Sequence, residues 1–205
     1  VVMATPGDAA SALAWVDAQR KRRKISAVSL MLPGRMYTGD RTGYAKGTCS
    51  GNSPALEKAI TTLTNHNITV VVAAGDEGLK GQLPWPACLP NVISVGATDS
   101  RDRVIGQSNS SNQLTMLAPG SDVRSAYYSG RDERDPDATS SRTGTYAAAA
   151  HVVGAIALYK QKYPTAAAYQ VKNALTRSGI ATKDTNGITK PRLRVDTMLK
   201  IKPAG

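Results

Sequence analysis

The chain has 205 residues, of which 41% are hydrophobic and 20% charged, and its formal net charge is +11. This composition excludes a wholly disordered chain, because it supplies enough apolar material for a core. No apolar run reaches the roughly 18–20 residues that span a bilayer. The first residues, Val1 to Met3, are typical of a strand and not of a signal peptide. We therefore expect one domain over residues 1–205, cut from a longer protein and without a transmembrane segment.

The first half of the chain alternates between helical and extended patterns. Asp8 is a suitable N-cap for a helix that reaches Gln19, and the basic run Arg20 to Lys24 complements the dipole at its C-terminus. Ser53 and Pro54 fit the N-cap and first position of a second helix. Its predicted apolar face comprises Ala55, Leu56, Ala59, Ile60 and Leu63. The predicted strands are residues 25–32, 68–74 and 92–97.

The second half continues the alternation. A strand is predicted over residues 114–118, a long Ala-rich helix over residues 145–162, and a helix from its cap at Thr165 to Gly179. Asn186 and Gly187 predict a turn before a short final segment at 193–199. Because near-continuous apolar strands are buried on both faces, we expect an α/β domain of three layers. Helices would cover both faces of a mostly parallel sheet.

The two cysteines, Cys49 and Cys88, both lie in loop-like stretches. Their spacing fits no zinc pattern, and the chain has only two histidines to complete one. Two free buried thiols and a disulfide both remain compatible with the residues alone. A disulfide would favour a location outside the cytoplasm.

Three stretches carry a resemblance to a known family. Residues 70–78 resemble VVAAGNEG, residues 86–120 resemble the series PA…VIxVGA…APG, and residues 144–154 resemble GTSMAxPHVAG. Together they resemble the C-terminal two thirds of the catalytic domain of subtilisin-like serine peptidases. The resemblance implies a subtilisin-like fold that lacks its N-terminal strands and a secreted or periplasmic location. It also favours a Cys49–Cys88 disulfide.

The resemblance implies an altered active site. Tyr146 falls at the position of the nucleophilic serine, and a phenol with a pKa near 10 is a poor acyl acceptor without a base. Asp76 falls at the position of the oxyanion-hole asparagine, where a carboxylate offers no hydrogen-bond donor. No catalytic residue is therefore expected to be intact. His151 matches a structural histidine of the family motif, and His66 is interpreted as a loop residue.

The resemblance also implies a polypeptide-binding cleft. The wall of the family's primary specificity pocket, SLGG, corresponds to residues 31–34 here. The binding residues expected on this basis are Met31, Leu32, Pro33, Gly34, Ala73, Ala74 and Gly75.

Three functions follow as hypotheses. The first is a pseudopeptidase that binds a polypeptide or partner protein, including an upstream fragment of the same precursor. The second is the C-terminal portion of an active or processed endopeptidase whose Asp and His lie on a missing segment. The third is a basic module for an anionic polymer; the basic run lacks interleaved aromatic residues, so no specific nucleic acid is expected.

No cofactor is expected, although an acidic loop offers carboxylates that could bind calcium. Its acidic residues are Asp132, Glu133, Asp135 and Asp137. The family fold also places the strand of the catalytic Asp between the strands that resemble Val1 to Met3 and Ile25 to Leu32. Because unpaired backbone groups are costly when buried, either the remaining strands close up into an altered sheet or another segment fills this slot. We expect a filling segment, because apolar strands such as Ile25 to Leu32 suit burial on both faces.

Overall fold

The structure, a computed structural model, describes residues 5–31, 49, 53–126 and 139–204. The helices within these ranges are α1 (Pro6–Arg23), α2 (Pro54–Asn65), α3 (Thr145–Lys162), α4 (Ala168–Ser178) and α5 (Val195–Met198). The strands are β1 (Ala27–Leu30), β2 (Thr69–Ala73), β3 (Ile93–Thr98), β4 (Met116–Pro119), β5 (Val123–Ala126), β6 (Thr139–Arg142), β7 (Ile180–Lys183) and β8 (Thr189–Arg192). The predicted strand at residues 1–3 lies outside the described ranges.

Six strands form one sheet in the order β1-β2-β3-β4-β8-β7. The first four are parallel neighbours, β8 pairs parallel with β4, and β7 pairs antiparallel with β8. Strands β5 and β6 form a separate antiparallel ribbon. The mostly parallel sheet confirms the predicted α/β class.

Helices cover both faces of the sheet. On one face, α1 and α2 pack over alternate residues of β2, such as Val70 and Val72, with Leu56, Ile60 and Leu63 of α2 fully buried. On the other face, α3 and α4 pack over Val71 and over β3 and β4. Because side chains alternate between the faces of a strand, one apolar strand supplies both cores. The predicted three-layer architecture is therefore correct.

The N-terminus of α1 corrects one prediction. The N-cap is Thr5 and not Asp8: the Thr5 hydroxyl accepts the Asp8 N–H at 3.1 Å, and the Asp8 carboxylate accepts the Thr5 N–H at 2.7 Å. This reciprocal pair is a capping box, in which the acidic residue occupies the third helical position. The helix ends at Arg23, with Lys24 in the left-handed conformation at φ 52°, so the basic run does lie at its C-terminus.

The N-termini of α2 and α4 can also be compared with the predicted ones. Helix α2 begins at Pro54 after the Ser53 cap, as predicted, although Ala55 of its expected apolar face is exposed. Helix α4 begins at Ala168 and not after Thr165, because residues 164–165 form a turn. The Gln170 side chain accepts the N–H of its N-cap residue, Ala167, at 2.7 Å.

Sequence patterns miss the strands β5 to β8. These strands have four residues each and lack an apolar run; β5, β6 and β7 are mostly exposed, and β8 is mostly half-buried. Asn186 and Gly187 do form the predicted turn, and it joins β7 to β8 as a hairpin. The final segment contains the short helix α5.

Strand β1 is the edge of the sheet as described. Its pairing partner is β2, and among the described residues no strand pairs with its other side. Its first three residues are only half-buried, in contrast to the expectation of burial on both faces. Whether a further segment fills the predicted slot stays a prediction. Within the described ranges, no helix has the length and apolar character needed to cross a membrane.

Candidate functional site

The carboxyl ends of β2, β3 and β4 meet the N-terminus of α3. The Gly144 N–H donates to the Gly120 carbonyl at 2.8 Å, which ties the start of α3 to the end of β4. A Cβ at Gly120 would lie 2.7 Å from both the Ala97 Cβ and the Gly144 oxygen. This close approach requires glycine, and it fixes the helix terminus over the end of the sheet.

The turn after β2 is locked against this helix terminus. Gly75 has φ +96°, and its N–H donates to the Thr145 hydroxyl at 3.0 Å. Asn109 holds the turn from the other side, donating to the Ala74 carbonyl at 2.9 Å and to Glu77 at 2.7 Å. The turn therefore has a defined shape that sets the position of the next residue, Asp76.

The Asp76 carboxylate is bonded to the N-terminus of α3. Its Oδ1 accepts the backbone N–H of Thr145, the first residue of the helix, at 2.8 Å. Partial burial raises the pKa of Asp76, and this effect outweighs the hydrogen bonds from Thr145 and Gln107, which lower it. Because the N-cap residue Gly144 has no side chain to offer, Asp76 takes the capping role from a distant loop.

Tyr146, the second residue of α3, lies over the same terminus. A Cβ at Gly144 would meet the ring of Tyr146 at 2.4 Å, so the ring packs directly on the N-cap residue. Tyr146 is half-exposed. No described residue accepts a hydrogen bond from its hydroxyl, and the ring of His151, one turn further along the helix, is bonded to the Ala147 carbonyl at 3.0 Å. The geometry supplies Tyr146 with no base from the described part of the chain.

A groove of about 570 Å³ runs from Tyr146 along the exposed side of α3. The β5–β6 ribbon forms its opposite wall, and Met31 and Leu158 contribute large apolar side chains that are 55% and 47% exposed. The small residues Ala150 and Gly154 form part of its floor. The groove can therefore accept apolar side chains of a ligand.

The structure places the predicted binding residues in different surroundings. Met31 lines the groove, and Gly75 touches the helix terminus through Thr145. Ala73 is half-buried against the α3 core, and Ala74 is fully buried, with its N–H donated to Val95. Leu32, Pro33 and Gly34 lie outside the described residues, as do the acidic residues Asp132, Glu133, Asp135 and Asp137.

Sequence reasoning missed Thr145, Asn109 and the β5–β6 ribbon. Thr145 is fully buried. It precedes the nucleophile position in the motif, and this adjacency is the signal that could have identified it. Asn109 lies in a polar loop with no motif around it, so its role follows only from the contacts that bring residues 74–79 to it.

Cys49 and Cys88 form a disulfide, with their Cα atoms 5.7 Å apart. The bridge favoured by the family resemblance is therefore confirmed, and the alternative of two free thiols is wrong. His66 caps the C-terminus of α2 and pairs with Asp17 at 2.6 Å, so both histidines have structural partners. Groups of three or more metal-ligating side chains are absent from the described part of the chain.

Comparison with known proteins identifies the protein family to which this fold belongs. The chain matches the model of the Subtilase family over residues 5–194. In fold it resembles the prenylagaramide maturation protease PagA, with a TM-score of 0.71, 23% identity, and coverage of 96% of this chain and 67% of that one. The chain belongs to the subtilase family.

Two relatives show the extent of the match. The chain is 42% identical over 125 residues to the extracellular serine proteinase of Thermus sp. (strain Rt41A), which covers 61% of this chain and 29% of that protein. It is 32% identical over 164 residues to subtilisin Savinase of Lederbergia lenta, which covers 78% of this chain and 58% of that protein. The match therefore spans less than two thirds of the length of either relative.

Proposed function

We propose that this chain is a catalytically degenerate subtilase domain that binds a polypeptide without cutting it. The observation that carries the proposal is the hydrogen bond from the Thr145 N–H to Asp76 at 2.8 Å. An ionised carboxylate accepts hydrogen bonds and donates none. At the helix terminus it repels the negative charge that an acyl-transfer transition state develops.

The chemical cost of these replacements is large. Removal of one oxyanion-hole donor lowers kcat by about 10²–10³-fold, and a negative charge in its place adds electrostatic repulsion. At the nucleophile position, a phenol without an adjacent base is an unactivated group. A Cβ at Gly144 would meet the Tyr146 ring at 2.4 Å and an Asp76 carboxylate oxygen at 2.9 Å, so both changes act on the same spot.

The groove supports the binding half of the proposal. It is mostly apolar, opens beside Tyr146 and is flanked by the β5–β6 ribbon. An extended polypeptide could place apolar side chains against α3 there. The disulfide and the extracellular relative from Thermus support an extracytoplasmic location.

The absence of peptidase activity is tested by incubation with casein and by labelling with a serine-reactive fluorophosphonate. We expect no cleavage and no labelling. Tyr146→Ser should also remain unlabelled, because serine without a histidine base is not activated. Cleavage of casein, or stoichiometric labelling at any serine, would contradict the proposal and support the second hypothesis, an endopeptidase completed by another segment. That the Thermus relative is named as an extracellular serine proteinase favours this alternative.

Binding is tested by fluorescence anisotropy with labelled β-casein as the polypeptide. Gly154→Trp should weaken binding at least tenfold, because a Cβ at Gly154 meets nothing within 4 Å and the indole would fill the groove. Gly106→Trp is the matched control, since Gly106 is equally unobstructed and does not line the groove. Equal affinity of both variants would contradict groove binding. Affinity that falls steeply with salt in all variants would instead indicate an anionic-polymer module.

A further inference from the structure

A second cavity lies at the opposite edge of the sheet, where β2 and β3 begin. It measures about 320 Å³, which is within the range of small-molecule sites. Its walls come from the end of α2, the starts of β2 and β3, and the start of α4. None of its described lining residues is acidic. The proposed polypeptide groove shares no lining residue with it.

One residue that lines this cavity, Thr69, carries a buried hydroxyl that has no partner among the described residues. Thr69, the first residue of β2, is 3% exposed, and its hydroxyl makes no hydrogen bond with any described residue. A hydroxyl left unpaired in the interior costs stability. Such a hydroxyl therefore destabilises the fold unless a bound ligand or water supplies its hydrogen-bond partner.

A lysine is fixed in the cavity wall. The Lys172 ammonium donates to the carbonyls of Pro90 and Val92, both at 3.0 Å. An ammonium has three donors, so one N–H remains after these two bonds. Burial lowers the pKa of Lys172, so an anion beside it would stabilise its charged form.

The N-terminus of α4 adds positive character. Ala168 and Tyr169, the first two residues of this 11-residue helix, line the cavity. The N-cap residue Ala167 has no side-chain oxygen, and the Ala168 N–H reaches only Asn67, at 3.4 Å. Unsatisfied amides and the helix dipole favour an anion at such an end. At the rim, the Tyr169 ring is 64% exposed and offers a face for the uncharged part of a ligand.

We propose that this cavity binds a small molecule of about monosaccharide size through an anionic group, a phosphate or a carboxylate. The anionic group contacts Lys172 and the start of α4, and the Thr69 hydroxyl completes its hydrogen bonds through a small side-chain rotation. Tyr169 covers the body of the ligand. The anion class follows from the lysine and the helix terminus, together with the absence of acidic lining residues among those described.

Isothermal titration with glucose 6-phosphate, glucuronate and uncharged glucose tests this site. We expect saturable binding of at least one of the two anions, at least tenfold tighter than binding of glucose. The anion that binds more tightly assigns the site to phosphate or to carboxylate. Glucose bound as tightly as both anions, or no saturable binding of any of the three, would overturn the proposal.

Variants locate the binding. Lys172→Met should weaken anion binding at least tenfold. Lys190→Met is the matched control. Lys190 also donates to a backbone carbonyl, that of Asn112, at 2.8 Å, and burial also lowers the pKa of Lys190. Equal losses in the two variants would show a non-specific charge effect and overturn the assignment.

Thr69→Val keeps the proposal testable if Lys172→Met does not fold. This substitution removes the unpaired hydroxyl at nearly constant shape, so the melting temperature of the free protein should rise while anion affinity falls at least threefold. A merely structural threonine would change stability alone. Unchanged affinity in Thr69→Val would therefore overturn the proposed site.

Discussion

The carboxylates of Asp76 and Asp184 show how the same group acquires opposite pKa shifts in one protein. Burial dominates at Asp76 and raises its pKa, although its hydrogen bonds from Thr145 and Gln107 act in the other direction. At Asp184, burial also acts to raise the pKa. There the hydrogen bonds from Lys80, Ser110 and the Thr185 N–H outweigh burial and lower the pKa of Asp184. The two residues should therefore contribute to stability in opposite pH ranges.

The Asp76→Asn substitution should increase the stability of the folded protein, relative to the parent protein, as pH rises. Because the folded-state pKa of Asp76 lies above its unfolded value, its contribution to stability is full below the unfolded pKa near 3.9 and is lost as pH rises through the folded pKa. Asparagine does not ionise and still offers an oxygen to the Thr145 N–H. Thermal melts from pH 3 to pH 8 should show the variant gaining stability relative to the parent protein. A constant difference across this range would show that Asp76 does not titrate as described.

The Asp184→Asn substitution should have the opposite pH dependence: it should destabilise the folded protein at neutral pH and less so at low pH. Asp184 is buried, and its ion pair with Lys80 at 2.9 Å is part of a charged hydrogen-bond network, so its loss should cost about 1.5–3 kcal/mol at neutral pH. The lowered folded-state pKa means that this contribution is present above pH 3.9 and is lost as pH falls. Urea unfolding at pH 7 and pH 3 measures the difference. Asp196→Asn, in an exposed pair with Arg194, serves as the control and should have a much smaller effect; equal losses would contradict the role of burial.

Helix α3 is the element on which the site depends. It is apolar on most of its surface, and its small residues, such as Ala148 and Ala149, let it lie close to the sheet. Its exposed face forms the floor of the groove, where Gly154 leaves space. The helix therefore combines a buried face that holds the fold with an open face that is available to a ligand.

Gly154→Ala should stabilise the protein by about 0.5–1 kcal/mol, because it reduces the entropy of the unfolded chain within a helix and its Cβ meets no atom. Gly120→Ala should instead destabilise the protein by about 1–3 kcal/mol, because its Cβ would lie 2.7 Å from Ala97 and from the Gly144 oxygen. Chemical denaturation of both variants provides the comparison. If Gly120→Ala were neutral, the close contact between α3 and the sheet would be in doubt.

For the whole molecule, the disulfide joins the turn at Cys88 to Cys49, across a separation of 39 residues that includes α2 and β2. Cys88 packs in the core on the α1–α2 face, and Cys49 packs against it. The bridge thus closes a loop that contains a central part of the sheet. Because the loop is long, its closure should restrict the unfolded chain strongly.

The double variant Cys49→Ser/Cys88→Ser should lose about 4 kcal/mol of unfolding free energy, as the chain-entropy relation gives for a loop of this length. Guanidinium unfolding of the oxidised protein and of the variant measures the loss. Reduced parent protein is the control and should match the variant. A loss below about 1 kcal/mol would indicate that the unfolded chain is already restricted without the bridge.

The sequence by itself determined the order and type of the buried elements. Apolar strands such as residues 69–73 and the cap at Ser53 carry local signals, because burial and capping depend on neighbouring residues. The motifs around Asp76 and Tyr146 likewise identified the altered positions and the family. Only the tertiary structure decided that Asp76 bonds to the start of α3, that the short strands β5 to β8 form, and that Thr69 and Lys172 share a cavity. These features join residues far apart in the chain, such as Asp76 and Thr145, so their energies depend on packing that no local pattern contains.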